Sequence, residues 1–254
     1  LHPYYRTNLE VLAALDDGIP SLESIQELLA PIGWTACYVD GYIEPWQVAR
    51  LIRGHVMPLS RTVRAPDEVL FAREPDLIHD LFGHLPSLLH PEYRRLLELW
   101  SLIANTATVT PADRAQYHLN KTKVSLLPTE GGQAGRHLDA AIAAMNDFLT
   151  TNPTKLYLVD KLYFWIFEFG LLRRDDGLSV LGAGLISSLG ELRALADGRQ
   201  ATIKPLSIDT LLEPYLISDQ QDTYLTARGI EDFYRVLYQI SDYLREPSLR
   251  EIHS

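Results

Sequence analysis

Hydrophobic positions recur every three or four residues along most of this chain, and only a few short stretches alternate or run apolar without a break. This pattern predicts a mostly helical protein with a small sheet, an α+β class weighted towards helix. Leu9, Val11, Leu12 and Leu15 mark the apolar side of a first helix within residues 1–17, broken at Asp17-Gly18. Ser21 can cap a second helix that turns Leu22, Ile25, Leu28 and Leu29 inward and stops near Pro31 and Gly33. Residues 34–39 predict a strand followed by a turn at Asp40-Gly41, residues 45–52 a third helix, and residues 61–64 a short strand. Residues 67–72 fit neither period.

Further on, Pro91-Glu92 opens a helix whose inner side is Leu96, Leu97, Trp100 and Ile103. Residues 106–135 are more polar and predict a loop with a short helix. Residues 137–149 form an amphipathic helix, residues 155–169 a buried one, and residues 178–181 a strand. Residues 230–244 close the fold with Phe233, Leu237, Ile240 and Leu244. There is no internal repeat and no low-complexity tract.

Candidate chemistry concentrates in Glu74-Pro75-Asp76-Leu77-Ile78-His79-Asp80-Leu81-Phe82-Gly83-His84-Leu85-Pro86. Pro75 suits a first helical turn, where its missing N–H is not needed. Leu77, Ile78, Leu81 and Phe82 then offer an inward face, and Gly83 predicts the stop. In a straight α-helix, residues five apart point about 140° from each other. A helix ending at Gly83 lets His84 swing back towards the side that His79 faces. This is not the i, i+4 histidine spacing of the zinc proteases, so a third metal ligand has to come from elsewhere.

Glu168 is the candidate. From Leu162 to Phe169 it is the only charged residue, in a segment without a wet face. A buried carboxylate neutralises, pairs or binds a metal. By itself it is accounted for by an ion pair with Lys161, Arg173 or Arg174, or by protonation. Together with His79 and His84 it completes the two-histidine, one-carboxylate set of the non-heme Fe(II) oxygenases, which leaves open positions on the metal.

Three segments, in order, resemble the catalytic domain of the pterin-dependent aromatic amino acid hydroxylases. The segment from Glu74-Pro75-Asp76 to Gly83-His84 is similar to that family's E-P-D-x-x-H-[ED]-x-x-G-H. Phe167-Glu168-Phe169-Gly170-Leu171 is similar to its V-E-F-G-L. Residues 182–192, Gly-Ala-Gly-Leu-Ile-Ser-Ser-Leu-Gly-Glu-Leu, are similar to its G-A-G-L-L-S-S-x-G-E-L. A weaker similarity runs from Leu1-His2-Pro3 through Ile19-Pro20 to Arg64.

The resemblance implies that His79, His84 and Glu168 are iron ligands. It implies that Arg64 grips the substrate carboxylate, a task suited to a planar fork of N–H donors, and that Asp76 orients it. Ser187 falls beside an iron-ligand histidine and the substrate, and Pro75, Phe164, Phe169 and Gly184 fall in the amino-acid pocket. Gly41, Ile43, Asp80 and Tyr163 fall at pterin-contacting positions. Val48 stands where a phenylalanine stacks on the pterin, unless a local shift gives that place to Tyr42 or Trp46. Ala72 replaces a threonine near the substrate backbone. Residues 106–152 read as an insertion within a single catalytic domain spanning residues 1–254. The other histidines, His2, His55, His90, His118, His137 and His253, carry no partner pattern and read as surface or core.

The implied activity is an Fe(II)- and tetrahydropterin-dependent monooxygenase. With O2 as co-substrate, it hydroxylates the ring of a free aromatic amino acid. L-Phenylalanine is the default, giving tyrosine or meta-tyrosine, with tyrosine or tryptophan as alternative substrates. Two readings of other classes remain at this point: a zinc hydrolase on the same ligands, and a metal-free binding protein.

Bulk properties narrow the partners. A formal net charge of −10 with no basic block disfavours nucleic acid. No apolar run reaches the roughly 18–20 residues of a membrane span, no signal peptide is expected, and the opening at Leu1 rather than Met leads us to expect residues before it. The single cysteine, Cys37, fits a reducing cytoplasm. Without the family's C-terminal tetramerisation helix, a monomer or dimer is expected.

Overall fold

In the computed structural model, residues 3–15, 18–70, 72, 74–125, 132–175, 177–198, 201–216 and 219–245 are described. Helices α1 (Pro3–Ala13) and α2 (Leu22–Leu29) open the chain. Ser21 caps α2 by accepting from the Ser24 N–H, and Gly33 ends the following 3-10 turn in the left-handed conformation, φ 76°. Leu12, Ile25 and Leu29 are buried as the pattern predicts, but Val11 is exposed. His2, at the start of the expected first helix, and Asp17, at its expected break, lie outside the described residues.

Strand β1 (Thr35–Val39), helix α3 (Pro45–Arg53) and strand β2 (Val56–Ser60) form a parallel crossover in which Thr35 pairs with Val56 and Val39 with Ser60. The expected strand at 61–64 is therefore displaced to Val56–Ser60. Pro58 is tolerated within β2 because this strand pairs with β1 on one side only and lies at an edge. This unit matters for the site, because β2 ends at Ser60 and the chain then runs to Arg64.

The three-residue α4 (Leu77–His79) and the short α5 (Leu85–Leu88) flank the histidine segment, and α6 (Pro91–Ala104) follows. A correction concerns residues 106–135. Helix α7 (Pro111–Ser125) occupies 15 residues there, and it packs on α8 (Gln133–Thr151). Residues 126–131 lie outside the description. The inner face of α7 is largely polar: Asp113, Gln116, Tyr117, Asn120 and Val124 are buried. Gln116 donates to Asn146 at 2.9 Å, and the Thr154 hydroxyl donates to Asp113. A helix buried through satisfied polar groups carries little hydrophobic period.

Helix α9 (Lys155–Tyr163) leads to a hairpin of β3 (Leu171–Arg174) and β4 (Gly177–Val180), then to α10 (Ala183–Ser187) and α11 (Leu189–Ala196). Strand β5 (Thr202–Pro205), helix α12 (Ile208–Leu211), strand β6 (Thr223–Ala227) and helix α13 (Ile230–Arg245) complete the fold. The sheet order is β4-β3-β6-β5, antiparallel at β3–β4 and otherwise parallel. Trp100 and Trp165 anchor the main core and satisfy their indole N–H groups on the carbonyls of Val159 and Leu211, at 2.9 and 3.2 Å. Among the described residues, no helix is long and apolar enough to cross a membrane.

Candidate metal centre and active-site cavity

The two histidines meet because the helix widens, not because it stops. Asp76 caps α4, its carboxylate accepting the His79 N–H at 2.9 Å; Pro75 thus sits just outside the helix. Residues Asp80–His84 then form a π turn, in which the Leu85 N–H reaches the Asp80 carbonyl. Bonds from i to i+5 stack residues five apart, which an α-helix holds well apart. The rings of His79 and His84 come to 4.8 Å between centroids, at 80°.

Gly83 is therefore not a helix stop. A Cβ there would lie 2.7 Å from the Ala183 carbonyl, so its bare backbone lets α10 approach. Phe82 is exposed rather than inward, and its carbonyl accepts from the Tyr5 hydroxyl.

The same device delivers the carboxylate. The expected single helix 155–169 is α9 followed by a π turn, Phe164–Glu168, closed by Phe169 N–H to Phe164 O at 2.9 Å. Glu168 Oε1 lies 3.0 Å from His84 Nε2, and Oε2 lies 3.4 Å from His79 Nε2. One ligand atom from each of the three falls within 4.8 Å of the others. The basic partners considered for Glu168 lie elsewhere: Lys161 donates to the Glu213 carbonyl at 2.8 Å, and Arg173 and Arg174 are exposed.

Electrostatics favour the ligating forms of His79 and Glu168, whereas His84 is held towards its protonated form by Glu168 and must release that proton to bind a metal. Burial lowers the His79 imidazole to about 4, so it is neutral near pH 7. Burial would raise Glu168, but the His84 and His79 imidazoles beside it pull it down to about 2. Burial alone would lower His84; contact with Glu168 outweighs it and raises this imidazole instead. Ser187 Oγ lies 2.9 Å from His79 Nδ1, which turns Nε2 towards the carboxylate. Tyr93 Oη lies 3.5 Å from His84 Nδ1.

Arg64 and Asp76 form a buried two-point pair, with Nη2 to Oδ1 at 2.6 Å and Nε to Oδ2 at 3.0 Å. A third guanidinium bond runs from Nη1 to the Ser187 carbonyl at 2.9 Å. Five N–H donors less these three leaves two. Burial would raise the Asp76 carboxyl, but its bonds from Arg64 and His79 hold it below the usual value.

A cavity of about 230 Å³ opens beside these groups. His79, His84, Glu168, Arg64, Pro75, Phe164, Phe169, Gly184 and Ser187 all line it, as do Gly41, Ile43, Val48, Asp80 and Tyr163. Asp76 sits behind Arg64 rather than in the lining. Asp80 accepts the Ser60 N–H at 2.5 Å, and burial raises its carboxyl to about 7. Of the two aromatic alternatives to Val48, Tyr42 lines the cavity and Trp46 does not. Trp46 meets Tyr117 edge-on, with Arg114 over its ring at 5.2 Å.

Sequence reasoning missed Asp160 and Tyr215 in the lining. Asp160 precedes Tyr163 and Phe164 by three and four residues, so helical spacing could have found it. Tyr215, which stacks on Phe164 at 3.7 Å and 18°, sits in a segment with no regular period.

The family described as biopterin-dependent aromatic amino acid hydroxylase matches residues 149–249, a span that includes Glu168 but neither histidine. A phenylalanine-4-hydroxylase of Ralstonia nicotianae is 26% identical over 228 residues, covering 89% of this chain and 59% of the relative. A probable aromatic amino acid hydroxylase of Chlamydia pneumoniae is 25% identical, covering 84% of this chain and 51% of the relative. This chain thus spans between half and three fifths of the length of these relatives. The phenylalanine hydroxylase structure from Legionella pneumophila superposes with a TM-score of 0.69 at 20% identity, covering 97% of this chain and 90% of that one. The Chromobacterium violaceum phenylalanine hydroxylase, solved with iron(III) and 7,8-dihydrobiopterin, gives 0.67 at 22% identity, covering 95% of this chain and 75% of that one.

Proposed function

Because the chain carries the catalytic-domain fold of the biopterin-dependent aromatic amino acid hydroxylases, we propose that it is an Fe(II)- and tetrahydropterin-dependent monooxygenase acting on the ring of a free aromatic amino acid, L-phenylalanine first. The observation that carries this reading is the meeting of two imidazoles and one carboxylate at the wall of a largely apolar cavity that also presents Arg64.

The donor set fits ferrous iron: a neutral imidazole at His79, an imidazole at His84 and an ionised carboxylate at Glu168 are the facial set of non-heme iron sites. When bound, iron and tetrahydropterin supply the oxygen chemistry with O2. The chain's own residues do the rest. Ser187 fixes the ring orientation of His79. Asp76 and the Ser187 carbonyl hold the guanidinium of Arg64, so that its two remaining N–H donors can take the substrate carboxylate. Phe164, Phe169 and Pro75 offer an apolar wall to the substrate ring and exclude water. Gly41, Ile43, Val48, Asp80 and Tyr163 form the pterin side. We further read residues 1–254 as one catalytic domain in which residues 106–152 are an insertion, and the protein as cytoplasmic, a monomer or dimer.

The alternative of a zinc hydrolase draws on the same ligands but receives no support from the comparisons. Anaerobic purification followed by metal analysis tests the metal, with iron expected. Incubation with Fe(II), tetrahydrobiopterin, O2 and a mixture of phenylalanine, tyrosine and tryptophan tests the reaction. A product one oxygen atom heavier than phenylalanine is expected, and its retention identifies the ring carbon. Zinc with no oxygenated product would overturn the reading.

A further inference from the structure

Asp160 lies on the same side of α9 as Tyr163 and Phe164, three and four residues on, and all three line the cavity. Its Oδ2 accepts the Tyr215 hydroxyl at 3.2 Å. Among the described residues no ion pair engages this carboxylate, and Oδ1 makes no hydrogen bond. The adjacent Lys161 does not serve as its direct partner. Its ammonium group donates to the Glu213 carbonyl at 2.8 Å and lies over the Tyr215 ring at 4.4 Å. Asp160 also lines a small recess of about 20 Å³ behind Tyr42, with Tyr117 and Asn120 of α7. A half-buried carboxylate is costly unless something answers it. Here one oxygen is fixed by a stacked tyrosine, Lys161 acts on the group only through its nearby charge, and Oδ1 has no hydrogen-bond partner among the described residues.

We propose that Asp160 is a second recognition group of this cavity, taking an N–H or O–H donor of the bound ligand onto Oδ1 while Tyr215 positions the carboxylate. This rests on the hydroxylase reading. The donor then belongs either to the pterin, through its amino-oxopyrimidine ring or hydroxylated side chain, or to a polar atom on the ring of the amino acid.

Calorimetry on iron-loaded protein separates the sources, with 7,8-dihydrobiopterin, L-phenylalanine, L-tyrosine and L-tryptophan as probes. Asp160→Asn keeps the shape and removes the charge. The expected result is about tenfold weaker binding of one ligand class, the scale of a lost charge-assisted hydrogen bond. Loss for dihydrobiopterin alone assigns the cofactor. Loss for tyrosine or tryptophan, with phenylalanine unchanged, assigns the substrate ring. Tyr215→Phe should weaken the same ligand a few-fold, and it decides the matter if Asp160→Asn does not fold. Affinities within twofold of wild type for all four probes would overturn the proposal and leave the hydroxylase reading standing. Wild-type protein that binds none of the four would overturn both.

Discussion

The carboxylate of Glu168 spans the two histidines, with Oε1 at 3.0 Å from His84 Nε2 and Oε2 at 3.4 Å from His79 Nε2. Residues 84 positions apart in sequence share one charge balance. Under the proposed role, His79→Ala, His84→Ala and Glu168→Ala each drop iron occupancy below about a tenth of wild type, on the scale of losing one of three ligands. Metal analysis checks this, and circular dichroism is expected to show the helical fold retained. Full iron content in any one variant removes that residue from the set.

Arg64 and Asp76 form a pair with side chains 6% and 5% exposed. Removing one partner of such a pair strands the other, at a cost of about 3–5 kcal/mol. Asp76→Ala is therefore expected to lower stability on that scale in urea unfolding. Arg64→Lys keeps the charge but loses the fork. Its signature is a raised amino-acid KM with unchanged iron content; unaltered kinetics would refute the assignment.

The same pair sets a pH dependence. Asp76 has its folded-state pKa held below the ordinary 3.8. A depressed carboxyl contributes stability that is complete above the unfolded value and is lost as pH falls through the folded one. The stability gap between wild type and Asp76→Asn should hold steady above about pH 5 and shrink below about pH 4. A gap that stays constant down to pH 3 would contradict this.

Gly83 is required by a neighbour rather than by a turn. Gly83→Ala places a methyl 2.7 Å from the Ala183 carbonyl, which forces α10 away from the histidine segment. We expect a loss of about 1–3 kcal/mol, the range for overpacking. Ser187 would move with α10 and lose its contact with His79. Denaturant unfolding and iron affinity should fall together. A variant as stable as wild type would refute the requirement for glycine at position 83.

Val48 lines the cavity where an aromatic ring would gain about 0.5–1.5 kcal/mol by stacking. Val48→Phe should lower the pterin KM by up to about tenfold. Tyr42→Ala should raise it, since Tyr42 shares the cavity. Trp46→Ala should act only indirectly, through Tyr117. A larger effect from Trp46 than from Tyr42 would reverse this order.

Read alone, the sequence determined which residue types are present and most of the apolar faces that are buried, with Val11 and Phe82 as exceptions. Helices α2, α6, α8 and α13 were legible from the 3.6-residue period, α3 was expected at 45–52, α9 was legible as the start of an unbroken apolar run, and β1 and β4 as short runs. It singled out His79, His84 and Glu168 as a candidate donor set, because two imidazoles and a lone carboxylate lie in otherwise apolar runs. Tertiary structure decided how they meet. Hydrophobic period reports burial, not hydrogen-bond register, so the π turns at Asp80–His84 and Phe164–Glu168 were invisible. The polar inner face of α7 escaped for a related reason: its stability comes from satisfied side chains such as Gln116, which leave no apolar stripe. Tyr215 reached the cavity only because α9 and the segment after α12 pack together, stacking it on Phe164 from 51 residues away. Such contacts depend on distances between elements, and no local pattern encodes them.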